Sequence, residues 1–412
     1  MLWSPEQDRA LMSVRQWLAS GTTQVFHFFG YAGVGKTTLA QEIAAGIEGE
    51  VLIAAFTGKA AWVLRQKGCD NACTIHSLIY HSRDKSRAHL QDLELQLEVL
   101  IRELKEANLK DDYIDDHPKV RDLRRDIKTE SNNADQPMFI LNRDSIVKDA
   151  ALVIIDECSM VDSQMGADLM SFKVPILVLG DPAQLPPIGG GGFFTENIKP
   201  NVMLTEIHRQ AGESPIIRMA TATRNQERLT VGDYGEGCEV VAQGEKLDPD
   251  RVLAFDQLLV GKNKTRHGTN AKIRKLKGID DIYPIIGDRL VCLKNNSELG
   301  LLNGAIFEVL DVDGIMDNKI FMTIHPEDSM AATDVFAHVH HFIGTEDELG
   351  WYEKREAQEF GYGYGLTVHK AQGSQWKNVC VFDESYCFRK DKWRWLYTGI
   401  TRAAENVTVV RM

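Results

Sequence analysis

Eight residues, GYAGVGKT at 30–37, constrain this chain more than any other stretch of it. They follow the apolar run VFHFF and precede the helix-like TLAQEIAAGI, which is the strand, glycine loop and helix order of a P-loop, GxxxxGK[ST]. Glycines at these places let successive backbone N–H groups turn toward an anion at a helix N-terminus. Gly30, Gly33, Val34, Gly35, Lys36, Thr37 and Thr38 are therefore the expected phosphate cradle. Lys36 supplies a point charge to the β- and γ-phosphates of ATP, and the Thr37 hydroxyl supplies a ligand for Mg²⁺.

The surrounding pattern fits that unit into an α/β architecture. VLIAAF, ALVIIDE (151–157) and ILVLGD (176–181) are further buried runs separated by helical stretches, as in a parallel sheet covered on both faces. Between them, Leu90, Leu93, Leu97, Leu100 and Leu104 recur at spacings of three and four, and Val120, Leu123 and Ile127 repeat the pattern after DDYIDDHP. The spacing predicts a helical hairpin inserted into the first domain. From about 287 the pattern turns to alternation, in DRLVCLK, AIFEVLDV and KIFMTI, with Asn303-Gly304 and Asp313-Gly314 as turn signals, which predicts a small β-barrel insertion. Buried-strand character returns in GYGLTVHKAQG, VCVFD and NVTVV.

A chain of 412 residues has material for two or three domains. Its net charge of −12 confines any nucleic-acid binding to local patches. One such patch is 262–277, where Lys262, Lys264, Arg266, Lys272, Arg274, Lys275 and Lys277 occur without an acid; a phosphate-contacting face is preferred there to a solvated one. No run reaches the ~18 apolar residues of a membrane span, and MLWSPEQDRALMSVRQWL is no signal-peptide pattern. Seven scattered cysteines suit a reducing compartment, and the expected location is the cytoplasm. Cys69, Cys73 and His76 lack a nearby fourth zinc ligand, and His338, His340 and His341 suit a strand face at least as well as a metal site.

Hydrolysis needs one acid for the metal and one for water. ALVIIDE ends a strand in Asp156, placed to hold Mg²⁺, and Glu157, placed to orient and deprotonate the attacking water. The next strand ends in GDPAQLPP, which puts Asp181 and Gln184 on a loop at the carboxyl edge of the sheet, where ligands of open α/β sheets lie.

Taken in order, SPEQ (4–7), GYAGVGKT (30–37), AAFTGKAA (54–61), TIHSL (74–78), IIDECSM (154–160), GDPAQLPP (180–187), LTEIHRQ (204–210), LTVHKAQGSQW (366–376) and LYTGITRA (396–403) resemble the motif series of superfamily 1 helicases, above all the RecD and Dda branch, superfamily 1B. The resemblance implies two RecA-like P-loop domains, with a helical insertion in the first and a small SH3-like β-barrel in the second. The implied boundaries are 1–83 and 142–200 for the first domain, 84–141 for its insertion, 201–286 and 361–412 for the second domain, and 287–360 for the barrel.

It also implies roles. Gln7 would read the adenine edge and Gly373 would lie in the nucleotide site. Gln184 would sense the γ-phosphate, and Arg209 and Arg402 would reach that phosphate from the second domain as arginine fingers do. Thr57, Lys59, Thr74, His76, Thr367, His369, Lys370, Gln372 and Ser374 would form a sequence-independent DNA track. A helix cap at Thr74 and a buried polar role for His369 stay open. The function so implied is an ATP- and Mg²⁺-dependent helicase moving 5′ to 3′ on single-stranded and forked DNA, in replication, repair or recombination; a monomer is expected because one chain supplies both sides of the ATP cleft. A translocase, an RNA-directed ATPase and a non-catalytic DNA-gripping subunit remain the alternatives. Relatives carry a strand-splitting pin in the first insertion; Met138 and Phe139 are the candidates here, or else ordinary core of a short strand.

Overall fold

The computed structural model describes all residues except 1–2, 83, 107–113, 115–116, 135–138, 187–191, 207–213, 297–298, 328–331, 346–347 and 350–356. It divides into two compact units, Met1–Ile75 with Asp149–Met412, and His76–Lys148.

The larger unit opens with α1 (Pro5–Ser20), and its start is written in the sequence. Ser4 caps the helix, Pro5 occupies the first turn, and Ser4 and Gln7 exchange side chain to backbone hydrogen bonds in a capping box. Ala10, Leu11, Val14 and Trp17 then face the first core. The first sheet uses β1 (Val25–Gly30), β2 (Val51–Ala55) and β3 (Cys73–Thr74). After β4 (Tyr80–Ser82) and β5 (Phe139–Leu141) of the smaller unit come β6 (Leu152–Asp156), β7 (Ile176–Gly180) and β8 (Val202–Leu204). The order is β3-β2-β6-β7-β1-β8, with every pairing parallel. All five residues of β6 and all five of β7 are buried, which is why these runs lack alternation.

A second six-stranded sheet has the order β17-β11-β18-β19-β10-β9. Its members are β9 (Gly232–Gly235), β10 (Cys238–Val241), β11 (Gln257–Val260), β17 (Gly365–Thr367), β18 (Trp376–Asp383) and β19 (Ala403–Arg411). Only β9 runs antiparallel to its neighbour. Leu259, Val379, Val381, Val407 and Val409 build its core with Trp395, Tyr397 and Ile400 of the helix Lys392–Ile400. Leu185, from the loop after β7, is buried in this second core.

Between β11 and β17 the chain forms an antiparallel sheet, β15-β14-β13-β12-β16, from β12 (Arg289–Cys292), β13 (Ile306–Met316), β14 (Lys319–Pro326), β15 (Thr333–His338) and β16 (Phe360–Tyr362). Gln358, two residues before β16, donates its N–H to Phe336 O (2.9 Å), while its Oε1 accepts from Phe336 N–H (3.0 Å). The two edges of the sheet thus approach each other. The expected turn at Asp313-Gly314 is not one. β13 runs on to Met316, with a register shift between Val312 and Gly314, and the reversal falls at Asp317 and Asn318, whose φ values are 50° and 58°. A glycine at a bulge and Asp-Asn in a two-residue turn are physically equivalent signals at this spacing. The histidine run also differs from a plain strand face. His338 ends β15, Val339 turns helical at φ −53°, and His340 and His341 begin a short helix.

In the smaller unit the helices Asp84–Glu106 and Pro118–Ala134 pack on one another, with Leu93 and Val120 buried and Leu97, Leu100, Leu104, Leu123 and Ile127 half-buried. The leucine stripe is thus the contact face of a hairpin. β4 pairs antiparallel with β5, which contains Phe139; Met138 lies outside the described residues. No helix among the described residues is long and apolar enough to cross a membrane.

Candidate functional site

The glycine loop follows β1 directly. A Cβ at Gly30 would stand 2.7 Å from Val34 Cγ2 and 3.0 Å from Leu204 Cβ, so only glycine fits there. Gly33 and Gly35 take φ of 81° and 83°, the left-handed conformation that swings the loop amides round. α2 (Lys36–Ala45) starts with no side-chain cap, so its first-turn N–H groups face outward as an anion site. Lys36 Nζ donates to Gly30 O (2.7 Å) and Tyr31 O (3.1 Å), folded over the loop it serves. Thr38 sits half-buried in the same first turn, and Val34 is buried.

β7 lies beside β1 and β6 beside β7, all parallel, so the two strands end at the edge that carries the loop and bring their acids to it. Asp156 Oδ2 accepts from Thr37 Oγ1 at 3.2 Å, and its Oδ1 accepts from Glu157 N–H at 2.8 Å. Burial, and then the Glu157 charge, push the Asp156 carboxyl above the usual range, with Lys36 opposing them. A buried carboxylate and a hydroxyl this close, short of positive charge, form a donor set that fits Mg²⁺. Glu157 holds a left-handed φ of 53°, a non-glycine strain worth about 1–3 kcal/mol of the kind that persists at functional sites. Gln184 is buried, and its Oε1 has no hydrogen-bond partner among the described residues. An amide so placed can accept from water through its oxygen and donate to phosphate through its nitrogen. Gln7 sits against the loop, where Nε2 donates to Val34 O at 3.2 Å and Oε1 accepts from Ser4 N–H at 3.0 Å.

The second sheet's domain reaches the same place. Tyr397 Oη donates to Asp181 Oδ2 (2.5 Å) and accepts the Ala32 N–H (3.1 Å), Thr398 Oγ1 accepts the Leu185 N–H (3.0 Å), and Gln372 Nε2 donates to Leu185 O (3.0 Å). Burial raises both the Asp181 carboxyl and the Tyr397 phenol, which keeps the phenol a donor. The Arg224 guanidinium stands 3.6 Å from the Tyr31 ring centroid. Arg402 is buried and donates within its own domain, to Thr398 O (3.2 Å), Ser374 O (3.3 Å) and Thr401 Oγ1 (3.3 Å). Arg209 lies outside the described residues.

The expected track residues divide. Thr57 caps α3 (Gly58–Gln66) by accepting the Ala60 N–H at 3.1 Å, and Lys59 in its first turn lies 4.4 Å over the Trp62 ring. A Cβ on Gly373 would meet Ala60 Cβ at 3.0 Å and Thr57 Oγ1 at 3.1 Å, so Gly373 packs on α3, with these two residues nearest. Thr74 lies on β3; His76 belongs to the smaller unit, its ring 5.8 Å from that of Tyr80. Thr367 is buried and its Oγ1 accepts the Lys370 N–H at 3.3 Å. His369 stacks at a tilt on Phe388 (5.3 Å), and burial lowers its pKa, so it is neutral at pH 7. Lys370 is exposed, whereas Gln372 and Ser374 are buried. The basic run also splits by face: Lys262, Lys264, Lys272, Lys275 and Lys277 are exposed, but Arg266 and Arg274 are buried. Burial removes these two arginines from the exposed basic face, and Arg274 forms an ion pair with buried Asp288 at 2.9 Å.

Comparison with known proteins places this arrangement. The model of the AAA domain family matches residues 3–244, and that of the UvrD-like helicase C-terminal domain matches residues 362–410. The chain belongs to the AAA domain family. Among curated relatives of the family, the ATP-dependent RecD2 DNA helicase of Deinococcus radiodurans is 26% identical over 285 residues, 62% of this chain and 35% of that protein. The chain thus spans about a third of that relative's length. Among solved structures, Bacteroides Pif1 bound to single-stranded DNA has a TM-score of 0.54 at 16% identity, covering 99% of this chain and 92% of that one. A Pif1 structure describing unwinding at forked duplex DNA has the same TM-score at 17% identity and the same coverage. These likenesses show the shared fold of two RecA-like domains.

Within this fold, the sequence reasoning missed Tyr397, Thr398 and Arg224. The first two sit inside LYTGITRA, a motif already singled out, but their partners are more than 200 residues away. Arg224 lies in the helix Pro215–Arg224, outside every motif, and no local signal marks it.

Proposed function

We propose that this chain is an ATP-driven DNA helicase that moves 5′ to 3′ along single-stranded DNA, with the P-loop cleft of its two RecA-like domains as the motor. The observation that carries the reading is the convergence of Lys36, Thr37, Asp156 and Gln184 at one sheet edge, with Tyr397 and Thr398 of the second domain on the same loops. A nucleotide bound there touches groups whose spacing depends on both domains, so binding and hydrolysis change how the domains meet. In this reading Thr37 and Asp156 would hold Mg²⁺, which would supply positive charge to the phosphates. Glu157 takes the proton of the attacking water, and Gln184 orients that water. Arg402 and Arg209 spread the charge that develops on the phosphate, Gln7 buttresses the adenine side, and Gly373 joins the second domain to α3.

The DNA track of the larger unit then comprises Thr57, Lys59, Thr74, Thr367, His369 and Lys370, and His76 is the smaller unit's own DNA-contacting residue. Gln372 and Ser374 act behind it, since both are buried. The domain boundaries given above belong to the proposal, and the curled sheet at 287–360 is its SH3-like insertion. The substrates are single-stranded and forked DNA, the setting is replication or repair in the cytoplasm, and the working form is a monomer. A translocase with weak unwinding is the second reading, favoured by an insertion whose described part is mostly a helical hairpin.

The test is strand displacement with Mg²⁺ and ATP on duplexes bearing a 5′ or a 3′ single-stranded tail, with ATPase rate recorded alongside. Displacement from the 5′ tail alone is expected. Displacement only from the 3′ tail reverses the polarity, stimulated hydrolysis without displacement selects the translocase, and no stimulated hydrolysis overturns the motor reading.

A further inference from the structure

The loop Asp181–Leu185 carries Gln184 and is held from the second domain at both ends. On one side Tyr397 Oη donates to Asp181 Oδ2 at 2.5 Å. On the other, Leu185 gives its N–H to Thr398 Oγ1 and receives the Gln372 amide on its carbonyl, each at 3.0 Å. Tyr397 also accepts the N–H of Ala32, inside the P-loop, at 3.1 Å. One phenol therefore ties together the P-loop, the loop of Gln184 and the helix Lys392–Ile400, whose C-terminal end positions Arg402 through Thr398 O. The ring is 1% exposed and sits in the second domain's core, so its hydroxyl cannot shift without that helix. Asp181 is equally buried, and its other oxygen accepts the Ala183 N–H at 2.9 Å, so loss of the phenol leaves one carboxylate oxygen without its donor in a dry site.

We propose that Tyr397 is a positioning residue for hydrolysis: its hydroxyl, bonded to Asp181 and to the Ala32 amide, sets Gln184 in register with the P-loop when the two domains are together. This rests on the ATPase reading above. Tyr397 touches neither phosphate nor water in this scheme and acts through Gln184. It follows that removing the hydroxyl slows turnover while leaving nucleotide affinity largely in place, because the phosphate-binding amides and Lys36 stay where they are.

The experiment uses the full chain with Tyr397→Phe, Gln184→Ala and the double variant, and a parallel Thr398→Val variant. It measures DNA-stimulated kcat and KM for ATP, equilibrium binding of a fluorescent ATP analogue, and thermal melting. Tyr397→Phe is expected to lower kcat about tenfold or more, as loss of a hydrogen bond to a charged partner implies, with KM and analogue affinity within about threefold. The double variant is expected to be no slower than Gln184→Ala alone, since residues acting through one another are not additive. Thr398→Val is expected to show the same split from the far end of the loop. Wild-type kcat in Tyr397→Phe overturns the proposal, and so do additive losses in the double variant. If Tyr397→Phe melts early and loses analogue binding, the decision passes to Thr398→Val, where an unchanged kcat overturns it. A wild-type chain without DNA-stimulated hydrolysis fails the function reading itself, and the proposal falls with it.

Discussion

Lys59 gives the track assignment a pH signature. Its ammonium is half-buried at the start of α3, and desolvation lowers its pKa to about 8, with Glu327 opposing and Arg289 assisting. At pH 7 the side chain is then about nine-tenths charged, and at pH 9 about one-tenth. A phosphate stabilises the charged form, so the complex releases its proton at higher pH than the free protein does. The sign follows: affinity for single-stranded DNA is level below pH 8 and falls as pH rises through the free protein's pKa. From pH 7 to pH 9 the loss is at most about tenfold, the change in charged fraction. Fluorescence anisotropy with a labelled oligo(dA) at constant ionic strength reads it. Lys59→Arg keeps its charge throughout and is expected to bind with no such fall, while Lys59→Met starts weaker and stays level. If wild type and Lys59→Arg weaken in parallel between pH 7 and 9, Lys59 carries no phosphate contact and the reasoning fails.

Glu157→Gln is expected to lower DNA-stimulated hydrolysis by about 10²–10⁴-fold with ATP binding retained, the worth of a positioned general base; steady-state turnover near wild type would remove Glu157 from that role. Lys36→Ala is expected to abolish the same activity, and wild-type turnover there would overturn the P-loop assignment. Arg274→Met strands Asp288, which accepts from Arg274 Nε (3.0 Å) and Nη2 (2.9 Å), Tyr364 Oη (2.9 Å) and the Ile285 N–H (2.9 Å). Breaking such a buried pair costs about 3–5 kcal/mol, to be read by urea unfolding, and a loss under about 1 kcal/mol would mean the site relaxes around the vacated space. Replacing the exposed Lys264, Lys272 and Lys275 together by Gln is expected to flatten the slope of log affinity for single-stranded DNA against log salt by about 2, at ~0.7 per phosphate contact. Melting should be unchanged, and an unaltered slope would return those lysines to the solvent.

What the sequence made legible follows the range of the interactions involved. GYAGVGKT, ALVIIDE and the leucine stripe could be read because their meaning is local: a loop conformation, a buried strand edge and a helical face are each set within a few residues. The smaller sheet was legible as alternation, but its turn was not, since Gly314 serves a bulge as readily as a reversal and only pairing with Phe321 decides between them. The basic run 262–277 shows the same limit within one helix. Lys264, Lys272 and Lys275 face out and Arg266 and Arg274 face in, a division fixed by partners such as Asp288 that the run does not contain. The site obeys this rule most strongly. Lys36 and Asp156 announce themselves because one opens the helix after its strand's glycine loop and the other ends its own strand, and Gln184 lies in a motif on the loop after the next strand. Tyr397 does not, because the groups that give it a task, Asp181 and the Ala32 amide, stand in another domain and become its neighbours only once both sheets are folded and together. Residues that perform chemistry are therefore visible strand by strand, and residues that make the chemistry depend on domain closure have no such local mark. In a chain whose proposed work is to convert closure into movement, the second group is where coupling resides, and substitutions there should separate hydrolysis from nucleotide binding most cleanly.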